Sequence, residues 1–181
     1  MFERLTTPEE AYGYKLGAAL NMEHTVSKIL KASIEEAKDE RVVALLRRHL
    51  EETEGHVRTV EEIFGLMRWE VDESPCPAID GIQAEAKTNA KKTDDALVDG
   101  VLLQGAVETE HHEIGVYENL IINARALGRD DIVNLLQRNL ESEQHTLQAV
   151  KTLEEQIAAT MPRRNPSGQT GMMDKVKSAL S

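Results

Sequence analysis

The sequence predicts an all-α protein, an antiparallel four-helix bundle with a short crossover helix between its helix pairs, and three observations carry that prediction. Aromatic residues make up only 3% of the 181-residue chain while Ala, Leu, Glu, Lys and Gln abound, the composition of long helices rather than sheets. Apolar residues recur at helical spacing in four long stretches, and strand-like alternation is absent. The four stretches form two pairs separated by a longer connection, the topology of a bundle with one crossover.

Thr7 before Pro8, Glu9 and Glu10 starts the first helix, because a hydroxyl caps orphan amides and proline suits the first turn. That helix is expected to run to about residue 38. Asp39 caps a second one through Val42, Leu46, Leu50, Val57, Val60 and Phe64, ending near Trp69 before Ser74-Pro75-Cys76-Pro77 breaks the pattern. Residues 78–92 suit a short crossover helix. Thr93 with Asp94 and Asp95 is expected to start the next long helix, which Gly128 stops, and Asp130 starts the last, to about Thr160. The pairs resemble each other: Leu45-Leu46-Arg47-Arg48-His49-Leu50-Glu51 matches Leu135-Leu136-Gln137-Arg138-Asn139-Leu140-Glu141, and Val60 then falls on Val150. An ancient duplication with a pseudo-twofold central site is the expectation. Residues 1–160 form the bundle, and 161–181 a flexible tail by Pro, Gly and Arg content, ending in a short amphipathic segment.

A formal charge of −11 repels phosphate backbones and anionic lipid and concentrates cations, so nucleic acid is excluded as a partner. No run of about 18 apolar residues exists to span a membrane. The single cysteine, Cys76, leaves no internal disulfide and no cysteine-cluster zinc site, which fits a reducing cytoplasm.

Polar residues stand at core positions. At about 100° per residue, Glu23 falls inside the first helix's apolar arc, and His49, Thr53 and His56 inside the second's, with Glu52 at its margin. Glu110, Glu113 and Tyr117 lie among Leu103, Ala106, Leu120, Ile121 and Ala124, and Glu143 among Leu136, Leu140, Leu147 and Val150. His24, His111, His112, Glu141 and His145 point outward on the same count. An ionised carboxylate in a dry interior needs a partner or a cation. Four carboxylates and two imidazoles can hold two metal ions: iron first, with manganese or zinc as alternatives. Open positions would take O2 or peroxide. Tyr117 is either a satisfied core phenol or a relay of electrons or protons to the metals.

At these residues the chain resembles the YciE/YciF-type stress proteins of the ferritin-like superfamily. Glu110-His111-His112-Glu113-Ile114-Gly115-Val116-Tyr117 is similar to that family's Glu-His-Tyr-Glu-Ile-Ala-x-Tyr, and His49-Leu50-Glu51-Glu52-Thr53 to its His-Leu-Glu-Glu-Thr. Cys76-Pro77-Ala78-Ile79-Asp80-Gly81 with Glu85 resembles its crossover-helix motif, and Glu23-His24-Thr25-Val26 its first-helix Glu. The resemblance spans about residues 8–158. It implies an antiparallel ferritin-like bundle that forms a homodimer, with a di-metal centre of Glu23, His49, Glu52, His56, Glu110, Glu113 and Glu143, and Glu85 as an outer ligand or charge partner. Against the superfamily's Glu-x-x-His, helix two has Thr53 with His56 and the last helix Glu143 with Thr146, so each motif is half present. The function expected is oxidation of Fe(II), or consumption of peroxide, during stress. The contrasting expectation is a non-catalytic scaffold bundle acting through its dimer surface or tail, with residues 172–181 docking a partner or shell protein.

Overall fold

In the computed structural model, which describes residues 4–161, five helices follow in order: α1 (Pro8–Glu36), α2 (Glu40–Met67), α3 (Pro77–Lys92), α4 (Val98–Ala126) and α5 (Asp130–Thr160). The residues 162–181 of the expected tail, including the segment 172–181, lie outside the described residues. No helix among the described residues is long and apolar enough to cross a membrane.

Each boundary has a local cause. Thr7 and Glu10 form a capping box: the Glu10 amide donates to Thr7 Oγ1 at 3.1 Å, and the Thr7 amide to Glu10 Oε2 at 3.1 Å. Asp39 caps α2 by accepting from the Arg41 amide at 2.8 Å. Asp99, in the first turn of α4, accepts from the Lys38 and Asp39 amides at 2.8 and 3.1 Å and so ties the α1–α2 turn to α4. Gly128, at φ 70°, makes the left-handed turn between α4 and α5 without a Cβ penalty.

The start of α4 differs from the sequence expectation. Asp94 does not cap a helix at Thr93; its carboxylate accepts from the Ala96 amide at 3.1 Å and its carbonyl from the Leu97 amide at 2.8 Å. This local turn satisfies the backbone on its own and delays the helix to Val98.

Helices α1 and α2 form one antiparallel pair and α4 and α5 the other; α1 also packs on α4 and α2 on α5, which closes a four-sided bundle. The crossover passes so close to α1 that a Cβ on Gly17 would lie 2.8 Å from the Ser74 amide nitrogen and 2.9 Å from the Asp72 carbonyl oxygen. Helix α3 then lies against α4 and α1. Leu16, Leu20, Leu46, Ile63, Leu103, Leu120, Ile132 and Leu136 are fully buried between the rods, each worth about 1.5–3 kcal/mol. That apolar frame surrounds a polar middle.

Candidate metal centre

The middle of each long helix brings carboxyl or imidazole groups to the bundle axis. Glu23 comes from α1, His49 and His56 from α2, Glu110 and Glu113 from α4, and Glu143 from α5. Glu23, Glu110, Glu113 and Glu143 are each 0% exposed, and both histidines are buried. His49 and His56 lie seven residues apart, two helical turns or about 10 Å along α2, which separates two half-sites.

One half-site gathers His49, Glu110, Glu113 and Glu143, and the other Glu23, His56 and Glu143; within each, the donor atoms lie within 4.8 Å of one another. Donors about 2.1 Å from a common ion stand up to about 4.2 Å apart, so each group is sized for one cation. His49 Nε2 is 3.1 Å from Glu110 Oε1 and 3.8 Å from Glu143 Oε2. His56 Nδ1 is 2.7 Å from Glu143 Oε1 and 3.8 Å from Glu23 Oε2. Glu143 therefore offers one oxygen to each half.

Among the described residues, eleven buried side-chain nitrogen and oxygen atoms lack a hydrogen-bond partner, and all but Tyr12 Oη belong to these six residues. The 2.7 Å approach of His56 to Glu143 is thus an ion-pair distance without hydrogen-bond direction. Buried polar atoms are almost always partnered; this concentration of orphans fits metal ions that take an electron pair from one nitrogen of each imidazole and from the carboxylate oxygens. Four carboxylates also carry the four negative charges that two divalent cations would neutralise. The residues present fit two metal ions.

Without a cation, three of the four carboxyls are pushed toward their protonated form. Burial, then the charge of Glu143, pushes Glu23 up to about 8. The same two causes push Glu110 up to about 10. Glu113 is raised well above its ordinary range by burial, then by Glu143, Glu23 and Glu110. Burial lowers His49, leaving the neutral imidazole that metal binding needs. Burial also pulls on His56, but contact with Glu143 and the charge of Glu23 outweigh it and the net shift is upward.

A second polar chain adjoins the cluster. Tyr117, fully buried, donates to Glu23 Oε1 and accepts from Asn139 Nδ2 at 3.0 Å. Asn139 was not among the residues singled out from sequence. The internal repeat held the signal, since it pairs Asn139 with His49 at an offset of 90 positions, the same offset that pairs Glu113 with Glu23.

The other expected residues fall as follows. Glu52 sits at the edge with its side chain 28% exposed, accepting from Thr146 Oγ1 at 2.9 Å and 3.6 Å from Arg48 Nε, outside both donor groups. Thr53 is buried and donates back to the His49 carbonyl at 2.9 Å. Glu85 is exposed on α3, as are His111, Glu141 and His145 on their helices, and His24 pairs with Glu73 at 2.8 Å. His112, expected outside, is half-buried with Nε2 3.8 Å from Cys76 Sγ, because the crossover covers that side of α4.

The family model described as Domain of unknown function (DUF892) matches residues 7–161. Protein YciF of Escherichia coli (strain K12) is 26% identical over 144 residues, 78% of this chain and 87% of that protein. The solved structure of YcfI from Rhodopseudomonas palustris is similar at a TM-score of 0.81 and 32% identity, covering 84% of this chain and 98% of that one. The crystal structure of the E. coli stress protein YciF is similar at a TM-score of 0.82 and 23% identity, covering 86% and 99%.

Proposed function

The chain belongs to the DUF892 family and is of the YciF type, and from that premise we propose that it is a di-metal carboxylate protein of stress response that oxidises Fe(II) while consuming peroxide or O2. The observation that supports the reading is the set of partnerless buried nitrogen and oxygen atoms on six residues of four helices, one or more from each residue close enough to share an ion. Iron is the first choice of metal, with manganese or zinc as alternatives, because the donor set mixes hard carboxylates with neutral imidazole.

When bound, the ions would supply redox chemistry that the side chains alone lack. With hydrogen peroxide, two Fe(II) substrate ions each lose one electron, the O–O bond breaks, and two protons complete two waters. The chain's own part is binding, proton management and exclusion of bulk water. Glu143 joins the two halves, Glu110, Glu113 and His49 hold one, and Glu23 and His56 hold the other. Glu52, kept at the edge by Thr146, is a carboxylate in reserve beside them. Tyr117 stands where its hydroxyl hydrogen serves Glu23 and its oxygen receives Asn139, so it would pass a proton or an electron between the centre and the protein.

Anaerobic addition of Fe(II) to chelator-treated full-length protein, followed by peroxide or air, tests this. About two tightly held ions per chain, oxidised faster than in buffer, is the expected result. Oxidation at the buffer rate with no retained metal would sink it, and would favour a scaffold bundle.

A further inference from the structure

The six clustered side chains are shut away from water: His56, the most exposed of them, shows only 7% of its side chain. A cation from solvent therefore meets another group first. Glu52 is placed to be that group. It lies three residues after His49 and four before His56, on the face of α2 that carries both, yet 28% of its side chain is exposed. Burial dominates the shifts of His49, His56 and Glu110, and the charge of Glu52 is among the lesser causes in all three. One carboxylate thus touches solvent while its field reaches both half-sites.

Two partners hold it between these places. Exposed Arg48 brings Nε to 3.6 Å from Glu52 Oε1, and buried Thr146 donates to Oε2 at 2.9 Å from α5. Thr146 uses its hydroxyl in an uncommon way for this fold. Thr53, Thr59, Thr88, Thr109 and Thr152 each donate to the carbonyl four residues back along their own helix, a familiar alternative for a helical threonine. Thr146 has the same option in the Ser142 carbonyl, and donates across the α2–α5 seam instead. Departure of Glu52 would therefore strand no buried hydroxyl, since Thr146 can turn back to its own helix. At the repeat offset of 90 positions Thr146 matches His56, so where the first hairpin has an imidazole the second has a hydroxyl that holds a carboxylate.

We infer that Glu52 is the entry ligand of the cluster: it takes a divalent cation from solvent at the α2–α5 seam, turns inward with it to Glu143, and returns to Thr146 once the ion is delivered. The inference rests on the di-metal reading and adds the route by which that centre fills. A hydrated divalent ion gives up water as protein oxygens replace it, and a carboxylate at the rim supplies the first of these. Arg48 attracts the empty carboxylate outward; a bound cation neutralises it and removes that hold.

The test uses the chelator-treated full-length chain with Co(II) as the probe, uptake being followed by the visible absorption of the bound ion and final content by metal analysis. Glu52→Gln keeps an acceptor for Thr146 but loses the charge, and should slow uptake about tenfold or more while the chain still ends with about two ions. Glu52→Asp keeps the charge but shortens the arm by one methylene, and should slow uptake about threefold or more. Glu51→Gln removes an equal charge from the exposed side of α2 and should change the rate by less than about twofold. A parental rate in Glu52→Gln overturns the inference, and so does a drop to about one ion, which would make Glu52 a resident ligand. A parental rate in Glu52→Asp would reduce the residue to a local charge and overturn the handover. Should the parent chain retain no Co(II), the di-metal reading fails and the inference falls with it.

Discussion

Glu143 and His56 face each other across the bundle axis with Oε1 only 2.7 Å from Nδ1, while the other oxygen of Glu143 turns to His49. One carboxylate thus belongs to both donor groups. Glu143→Ala is therefore expected to abolish binding of both ions, whereas Glu113→Ala should remove about one and leave the Glu23–His56 half occupied. Metal analysis after gel filtration distinguishes the two, and equal losses would contradict the sharing.

The buried carboxyls give the metal-free chain an unusual pH response. Glu23 and Glu110 hold their protons up to about 8 and about 10 when folded, against 4.5 ordinarily. Above about pH 5 the unfolded chain therefore binds fewer protons than the folded one, and stability falls as pH rises toward those values. The raised His56 acts in the same direction, and the lowered His49 opposes it only below its ordinary 6.5. Thermal midpoints in chelator should decline from about pH 7 to pH 9, and a rise would refute the assignment. Metal loading near pH 7 should release protons, measurable by calorimetry in buffers of different ionisation enthalpy.

Tyr117→Phe removes the donor to Glu23 and leaves the Asn139 amide facing no acceptor. A loss of about 1–3 kcal/mol in the metal-free protein is expected by chemical denaturation. If the phenol relays charge, Fe(II) oxidation slows at unchanged metal content, and an unaltered rate would reduce Tyr117 to a structural partner.

The crossover depends on a glycine on α1. Gly17→Ala places a methyl within 2.8–2.9 Å of the Ser74 and Asp72 backbone, an overpacking that should cost about 1–3 kcal/mol. Gly115→Ala, on the exposed side of α4 with nothing within 4 Å of the new carbon, should instead stabilise by about 0.5–1 kcal/mol. Paired melting curves check the contrast.

Much of this fold was legible because a helix displays its burial every third or fourth residue. Glu23, Glu110, Glu113 and Glu143 stood out as acids on apolar arcs, and the structure buries all four. What periodicity hides is anything set by a neighbouring element. His112 faces solvent on the count of α4 alone, and only the crossover beside Cys76 covers it. Asn139 carries no mark of its role on α5 alone, since its partner, Tyr117, comes from α4. Asp94 advertised a helix start yet spent its carboxylate on a local turn, a choice between two nearly equal uses of one side chain. Glu52 lay at an arc's margin, where a rotamer and the hydroxyl of Thr146 decide which way it leans.

Because the six clustered side chains are spread over all four long helices, neither half of the chain owns a complete chelate. The α1–α2 hairpin carries one acid and two imidazoles, and the α4–α5 hairpin three acids. A nascent or clipped chain missing either hairpin is therefore expected to hold a metal ion more weakly than the whole one. On the proposed reading, metal retention would thus report that both hairpins have closed on one another.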